Sequence, residues 1–177
     1  NPWMGCTKVS AGCAHCYAET LTKNRMGLSL WGANASRQVT KGPWTNVKSW
    51  EKKAKKGDPG ILGVGNPHLV FTGSLMDWAE GRLELDDVRS KMWDLIRGSN
   101  LHFQLLTKRP ENIVKYLPKD WGDEGYPNVW LGTSVEDMRV AKTTDPDQII
   151  GYLTNNNNIA QIRSALVLGI RDYFLKL

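Results

Sequence analysis

Apolar residues recur along this chain with two different periods, and each period marks a kind of element. Residues 68–74 (His-Leu-Val-Phe-Thr-Gly-Ser) are a short apolar run of the sort that forms a buried strand. Over 84–98, Leu85, Val88, Met92, Leu95 and Ile96 share one helical face. Asp86 and Asp87 stand near its start, where the helix dipole favours acids. Residues 101–107 (Leu-His-Phe-Gln-Leu-Leu-Thr) predict a second strand, and Pro110 at a first helical position opens a helix over 110–117. Residues 128–133 (Asn-Val-Trp-Leu-Gly-Thr) predict a third strand, and a helix is expected over about 146–153. Strand–helix–strand–helix–strand is the order of a parallel sheet with crossover helices. Half a βα barrel and an open doubly wound sheet both have it.

The flanking segments are less regular. Residues 1–16 are rich in Gly, Pro and Cys and read as a loop; 16–26 carry good helix formers, and Gly27 is a plausible stop. From 28 to 67 the periodicity is weak and turn signals recur at 42–43, 58–60 and 65–67. The basic stretch Lys48 to Lys56 predicts one short helix. So long a segment reads as an irregular insertion or a lid. After the tract Asn155–Asn158, apolar residues from Ile159 to Leu177 predict a terminal helix. The expected organisation is an α/β unit over 1–153, with a partial barrel-like parallel sheet and an N-terminal cysteine loop, followed by a divergent helix over 154–177.

Composition narrows the class without naming a function. A 177-residue chain with 41% hydrophobic and 23% charged residues is long enough for one globular core. The net charge of +5 suits an anionic partner such as nucleic acid, though charge alone is weak evidence. Several of the eight tryptophans (Trp3, Trp31, Trp44, Trp121) lie beside Gly, Pro or Asn, as if covering loops. No run approaches the ~20 apolar residues of a membrane span, and no signal peptide is visible. The first residue is Asn1 and not Met, so some native N-terminal sequence is expected to be missing.

Cysteine changes the picture most. All three cysteines fall within eleven residues, in Cys6-Thr-Lys-Val-Ser-Ala-Gly-Cys13-Ala-His-Cys16. An odd cluster of thiols suits a reducing cytoplasm better than a disulfide-stapled secreted protein. Three thiolates can hold a [4Fe–4S] cluster and leave one iron open to a ligand. Zinc is the rival reading: His15 would complete a Cys3His set, or His68 could supply a distant ligand. However, three donors within Cys13-Ala-His-Cys16 are awkward for one tetrahedral ion, and the cluster is favoured.

Active groups of parallel sheets gather at the carboxyl ends of the strands. The three predicted strands end in Ser74 and Asp77, in Lys108 and Arg109, and in Ser134 and Glu136. Lys108 and Arg109 suit a carboxylate or phosphate, and Asp77 and Glu136 an amine or ribose. Simpler roles stand beside these: Asp77 and Glu136 as helix caps, Lys108 and Arg109 as solvated charges, His68 and His102 as structural residues, and Tyr17 as packing around a metal site.

Residues 1–19, Asn-Pro-Trp-Met-Gly-Cys6 through Cys16-Tyr-Ala-Glu19, closely resemble the opening of the phage-associated three-cysteine-motif family. Three further blocks resemble it in order: Phe71-Thr-Gly-Ser74-Leu-Met-Asp77, Phe103-Gln-Leu-Leu-Thr107-Lys108-Arg109-Pro110-Glu111, and Asn128-Val-Trp-Leu-Gly-Thr-Ser134-Val-Glu136. That family is similar in turn to radical S-adenosylmethionine enzymes. The resemblance implies a partial βα barrel with a [4Fe–4S] cluster on Cys6, Cys13 and Cys16 and S-adenosylmethionine as cofactor. It places Ser74 and Asp77 at the methionine amine, Lys108 or Arg109 at the carboxylate, and Ser134 or Glu136 at the ribose. Two departures weigh against it. The cysteine spacing is six residues then two, wider than the usual three then two. The family's later Ser-x-Glu-Pro-Leu and Gly-Gly-Glu-Ser-Gly blocks do not follow Glu136, so a C-terminally truncated copy is expected. The competing functions are a nucleic-acid-binding module with a structural metal, carried by Lys48–Lys56 with Trp44 and Trp50, and an inactive remnant. A partner protein could also complete the site.

Overall fold

The computed structural model describes residues 1–55, 68–123 and 125–134. The turns expected at 58–60 and 65–67, the helix over 146–153, the terminal helix and Glu136 lie outside the described residues. The elements are β1 (Trp3–Met4), α1 (Tyr17–Met26), β2 (Gln38–Val39), α2 (Gly42–Lys55), β3 (Leu69–Thr72), α3 (Asp86–Arg97), β4 (His102–Thr107), α4 (Ile113–Tyr116) and β5 (Val129–Thr133).

Strand pairing follows the apolar runs. β3, β4 and β5 form a parallel sheet in that spatial order, with Leu69 opposite His102 and Phe103 opposite Val129. Along β4 burial alternates: Phe103, Leu105 and Thr107 are buried while His102, Gln104 and Leu106 are half-buried. That is the two-residue period of a pleated strand. α3 turns Val88, Met92, Trp93 and Ile96 inward, into a core shared with Leu101, Phe103, Leu105, Val129 and Leu131. Trp93 stands edge-on to Trp78, 5.6 Å between centroids, and Trp121 and Tyr126 extend the aromatic group. Trp3, Trp78, Trp93 and Trp121 are therefore core residues, which corrects the expectation that Trp3 and Trp121 cover loops. The architecture is mixed α/β with a parallel sheet. Among the described residues the sheet is open and no barrel closes.

The N-terminal stretch is more ordered than its sequence suggests. β1 pairs with β2 in antiparallel fashion, and Gly5 forms a parallel bridge with Met76, just beyond β3. Gly5 has φ of 103°, and a Cβ there would come within 2.3 Å of the Leu30 carbonyl oxygen. Only glycine permits that approach. The expected irregular insertion contains β2 and the 14-residue helix α2 between residues 38 and 55. α2 buries Val47 and packs Trp44 on the core. Its pattern is hard to read because the residues it sets on the core, Trp44, Val47 and Ala54, are few and widely spaced among polar ones. Over 110–117 a short 3₁₀ turn, Pro110–Asn112, precedes the single turn of α4.

Candidate functional site

The cysteine loop leaves β1 through Gly5 and ends at the start of α1. Cys6 follows the Gly5 bridge, Cys13 closes a 3₁₀ turn (Ala11–Cys13), and Cys16 is the extended residue before α1. Cys6 and Cys13 are buried and Cys16 is half-buried. All three line one cavity of about 240 Å³. The opposite wall is built from the carboxyl ends of all three parallel strands. Gly73, Ser74 and Asp77 follow β3, Thr107, Lys108 and Arg109 end β4, and Ser134 follows β5. The structure thus brings together every candidate site residue except Glu136, which lies outside the described residues. His15 is exposed and is not part of the lining, and neither His68 nor His102 reaches the cavity. Among the described residues, no three His, Cys, Asp or Glu side chains converge on a point that one ion would occupy.

Within the wall the polar residues divide by role. Asp77 is buried and accepts four hydrogen bonds: Ala79 N (3.0 Å) and Thr107 Oγ1 (2.6 Å) on one oxygen, Lys108 N (3.0 Å) and Arg109 Nη1 (2.7 Å) on the other. Four donors saturate a carboxylate. Asp77 therefore ties the end of β4 to the turn after β3, a larger role than capping one helix. Arg109 is buried, not solvated. Besides Asp77 it donates to Thr7 O (2.6 Å) and to the sulfur of Cys6 (3.4 Å). Burial opposes its charge, but Asp77, Cys6 and Glu80 outweigh that and raise its pKa above the ordinary arginine value. Burial pushes the Cys6 thiol up to about 12, although Arg109 pulls the other way. An uncharged Cys6 is thus the resting form until a cation displaces its proton.

A second buried pair backs this one. Arg37 Nε and Nη2 grip both oxygens of Glu80 at 2.9 and 2.7 Å, and both side chains are almost wholly buried. The remaining Arg37 donors reach Leu30 O, Ala35 O, Gly32 O and Thr7 Oγ1. Glu80 also accepts from Thr7 N at 3.0 Å. Burial would raise the Glu80 carboxyl, but the bonds and charge of Arg37, with Arg109 and Thr7, hold it below its usual value. Two cations and two carboxylates form one neutral group under the cysteine loop. Thr7, next to Cys6, touches both pairs. Asn1 pins the other flank: its amide donates to Ser74 Oγ (2.9 Å) and accepts from Leu75 N (2.8 Å). Tyr17 OH donates to Ser74 O at 2.7 Å, so Tyr17 also braces this turn.

Sequence reasoning did not find Arg37, Glu80 or Asn1. Glu80 lies three residues past Asp77 in the same turn, a weak signal; Arg37 sits in an aperiodic stretch and gives none.

A family model matches residues 1–150, most of the chain. The chain belongs to DUF5131, a family of proteins of unknown function. The match spans the cysteine loop and all three strand ends, so the whole cavity is built from DUF5131 sequence. No curated protein and no solved structure matches the chain. Among the described residues no helix is long and apolar enough to cross a membrane.

Proposed function

We propose that this DUF5131 protein holds a [4Fe–4S] cluster on Cys6, Cys13 and Cys16 and binds S-adenosylmethionine beside it, to start radical chemistry on a further substrate. One observation carries the reading: the three cysteines line a single cavity whose far wall is the polar carboxyl ends of three parallel strands. The donor set fits such a group. A lone ion asks its ligands to converge on one point, whereas a four-iron cluster takes each thiolate on a separate iron around a shared volume. Three cysteines leave the fourth iron for a non-protein ligand. When bound, the cluster supplies the electron that cleaves the sulfonium of S-adenosylmethionine.

The chain's own residues hold and shield. Ser74, Lys108 and Ser134 present two hydroxyls and a cation to the cavity, groups that suit the amine, carboxylate and ribose of the cosubstrate. Glu136 keeps the ribose role that the family resemblance implies. Asp77 and Arg109 are engaged with each other, so they act by position. They fix the end of β4, and Arg109 donates to the Cys6 sulfur, a contact of the kind that tunes a metal ligand. A barrel-like arrangement belongs to the same reading: the Gly5–Met76 bridge sets the cysteine loop at the end of a strand parallel to the chain just past β3. So does a home in the reducing cytoplasm of a phage-infected or bacterial cell, where unpaired thiols persist.

The test is anaerobic reconstitution with metal analysis and a 5′-deoxyadenosine assay on one sample. About four irons per chain are expected, lost on Cys13→Ala. A protein that keeps stoichiometric zinc, takes up no iron and leaves S-adenosylmethionine intact would sink the reading.

A further inference from the structure

A second cavity, of about 120 Å³, lies between α2, β3, which is an edge strand of the sheet among the described residues, and α3. Its lip carries two exposed aromatic rings, Trp50 at 39% exposure and Phe71 at 46%. Asn46 lines the same lip, exposed, one helical turn before Trp50. The volume is of the order of one planar heterocycle, and the walls are apolar, with Val47, Val70 and Phe103 among them.

The helix that forms one wall is strongly basic. Lys48, Lys52, Lys53 and Lys55 of α2 are all exposed, and Lys53 is the helical neighbour of Trp50. None of the four pairs with an acid among the described residues. The one acid of α2, Glu51, is turned away, accepting hydrogen bonds from Ser99 Oγ and Asn100 N. An unpaired lysine, Lys53, one helical turn past the tryptophan of an aromatic lip and on a helix of net positive charge, is complementary to a chain of phosphates that carries flat bases. A membrane surface fits less well, because the apolar face of α2 is already spent on the core through Trp44 and Val47.

We propose that this cavity binds single-stranded nucleic acid, with one unpaired base stacked between Trp50 and Phe71 and a neighbouring phosphate on Lys53. Phe71 lines both this cavity and the cysteine cavity, so a strand held here runs to the candidate active site. Nucleic acid is then the substrate class of the centre, a consequence that rests on the function proposed above. The binding itself does not.

The experiment is fluorescence anisotropy with labelled oligothymidylate, oligouridylate and a duplex of equal length, alongside phosphatidylserine vesicles, each over a range of salt. Single strands should bind with affinity that falls steeply as salt rises. Trp50→Ala should weaken that binding about tenfold, and the exposed change Lys53→Glu should weaken it too and make the salt dependence shallower. Binding of either single strand supports the proposal. Unchanged affinity in both variants, equal binding of the duplex, or binding to vesicles alone would overturn it. Iron measured on the same samples separates the two ideas. Full iron without oligonucleotide binding defeats only this inference, and oligonucleotide binding without iron uptake defeats only the cluster.

Discussion

Between Leu69 and Thr133 the chain is held by apolar burial, and between Asn1 and Lys55 it is held largely by buried charge. The first region buries Leu85, Met92, Ile96, Leu101 and Leu105 almost completely. The second fixes its loops through Arg37, Glu80, Thr7 and Arg109, and through Asn1 on the turn after β3. Apolar burial is tolerant, since neighbouring side chains can shift to fill a gap. A buried ion pair is not: either partner alone is an uncompensated charge. The cysteine loop is thus mounted on the less forgiving of the two supports. A metal site needs its ligands held within a fraction of an ångström, and a saturated polar network does this better than a short loop's own packing.

The largest effect should come from breaking the polar support. Glu80→Gln leaves Arg37 buried without its counter-charge and should cost about 3–5 kcal/mol in urea unfolding. It should also speed alkylation of Cys6 in the folded, metal-free protein, because the two-oxygen grip of Arg37 that braces Thr7 is broken. A smaller cost with unchanged Cys6 reactivity would mean that the loop holds itself.

Leu105→Ala tests the other side. Leu105 is fully buried on the central strand, and its truncation should cost about 3 kcal/mol. Folded-state alkylation of Cys6 should stay near the wild-type rate, since none of the charged groups is touched. If it rises as in Glu80→Gln, the two supports are one.

The same contrast explains how much was legible beforehand. The three strands and α3 were readable because apolar residues that face one core must recur at the period of their element, and α1 was readable from its helix formers and its Gly27 stop. The strand ends and cysteines were readable as chemistry, and they do meet around one cavity. What stayed hidden is whatever is built by polar contacts between distant segments. Arg37 meets Glu80 across 43 residues and Arg109 meets Cys6 across 103, and no local period records either meeting. The division of labour in the cavity was hidden for the same reason. Asp77 and Arg109 read as ligand-binding groups in the sequence, and the structure also gives them partners within the protein: four donors on Asp77, and Asp77, Cys6 and Thr7 on Arg109.

Acid should weaken the polar region selectively. The folded Glu80 carboxyl lies below its ordinary value. Its contribution is therefore complete at neutral pH and above the unfolded value of about 4.3, and it is lost as pH falls through the lowered folded value. The stability gap between wild type and Glu80→Gln should narrow over that acid range and stay constant above it. A gap that is flat from neutral pH down through pH of about 3 would show that the charge of Glu80 adds nothing beyond its hydrogen bonds.

The smallest effect should fall where neither support is involved. Gly27 ends α1 with φ of 65°, and a Cβ there would meet nothing within 4 Å. Gly27→Ala thus isolates the cost of a left-handed backbone, about 1 kcal/mol. It has none of the steric conflict that the same change would cause at Gly5, where Leu30 O stands in the way. The change should fray the last turn of α1, with faster amide exchange at Leu28, whose N–H is bonded to Thr22 O. Cys16 lies a full helix away at the other end of α1 and should react at its wild-type rate. If that rate changes, α1 transmits strain along its length to the cysteine loop, and the loop is held by the helix as well as by the charges beneath it.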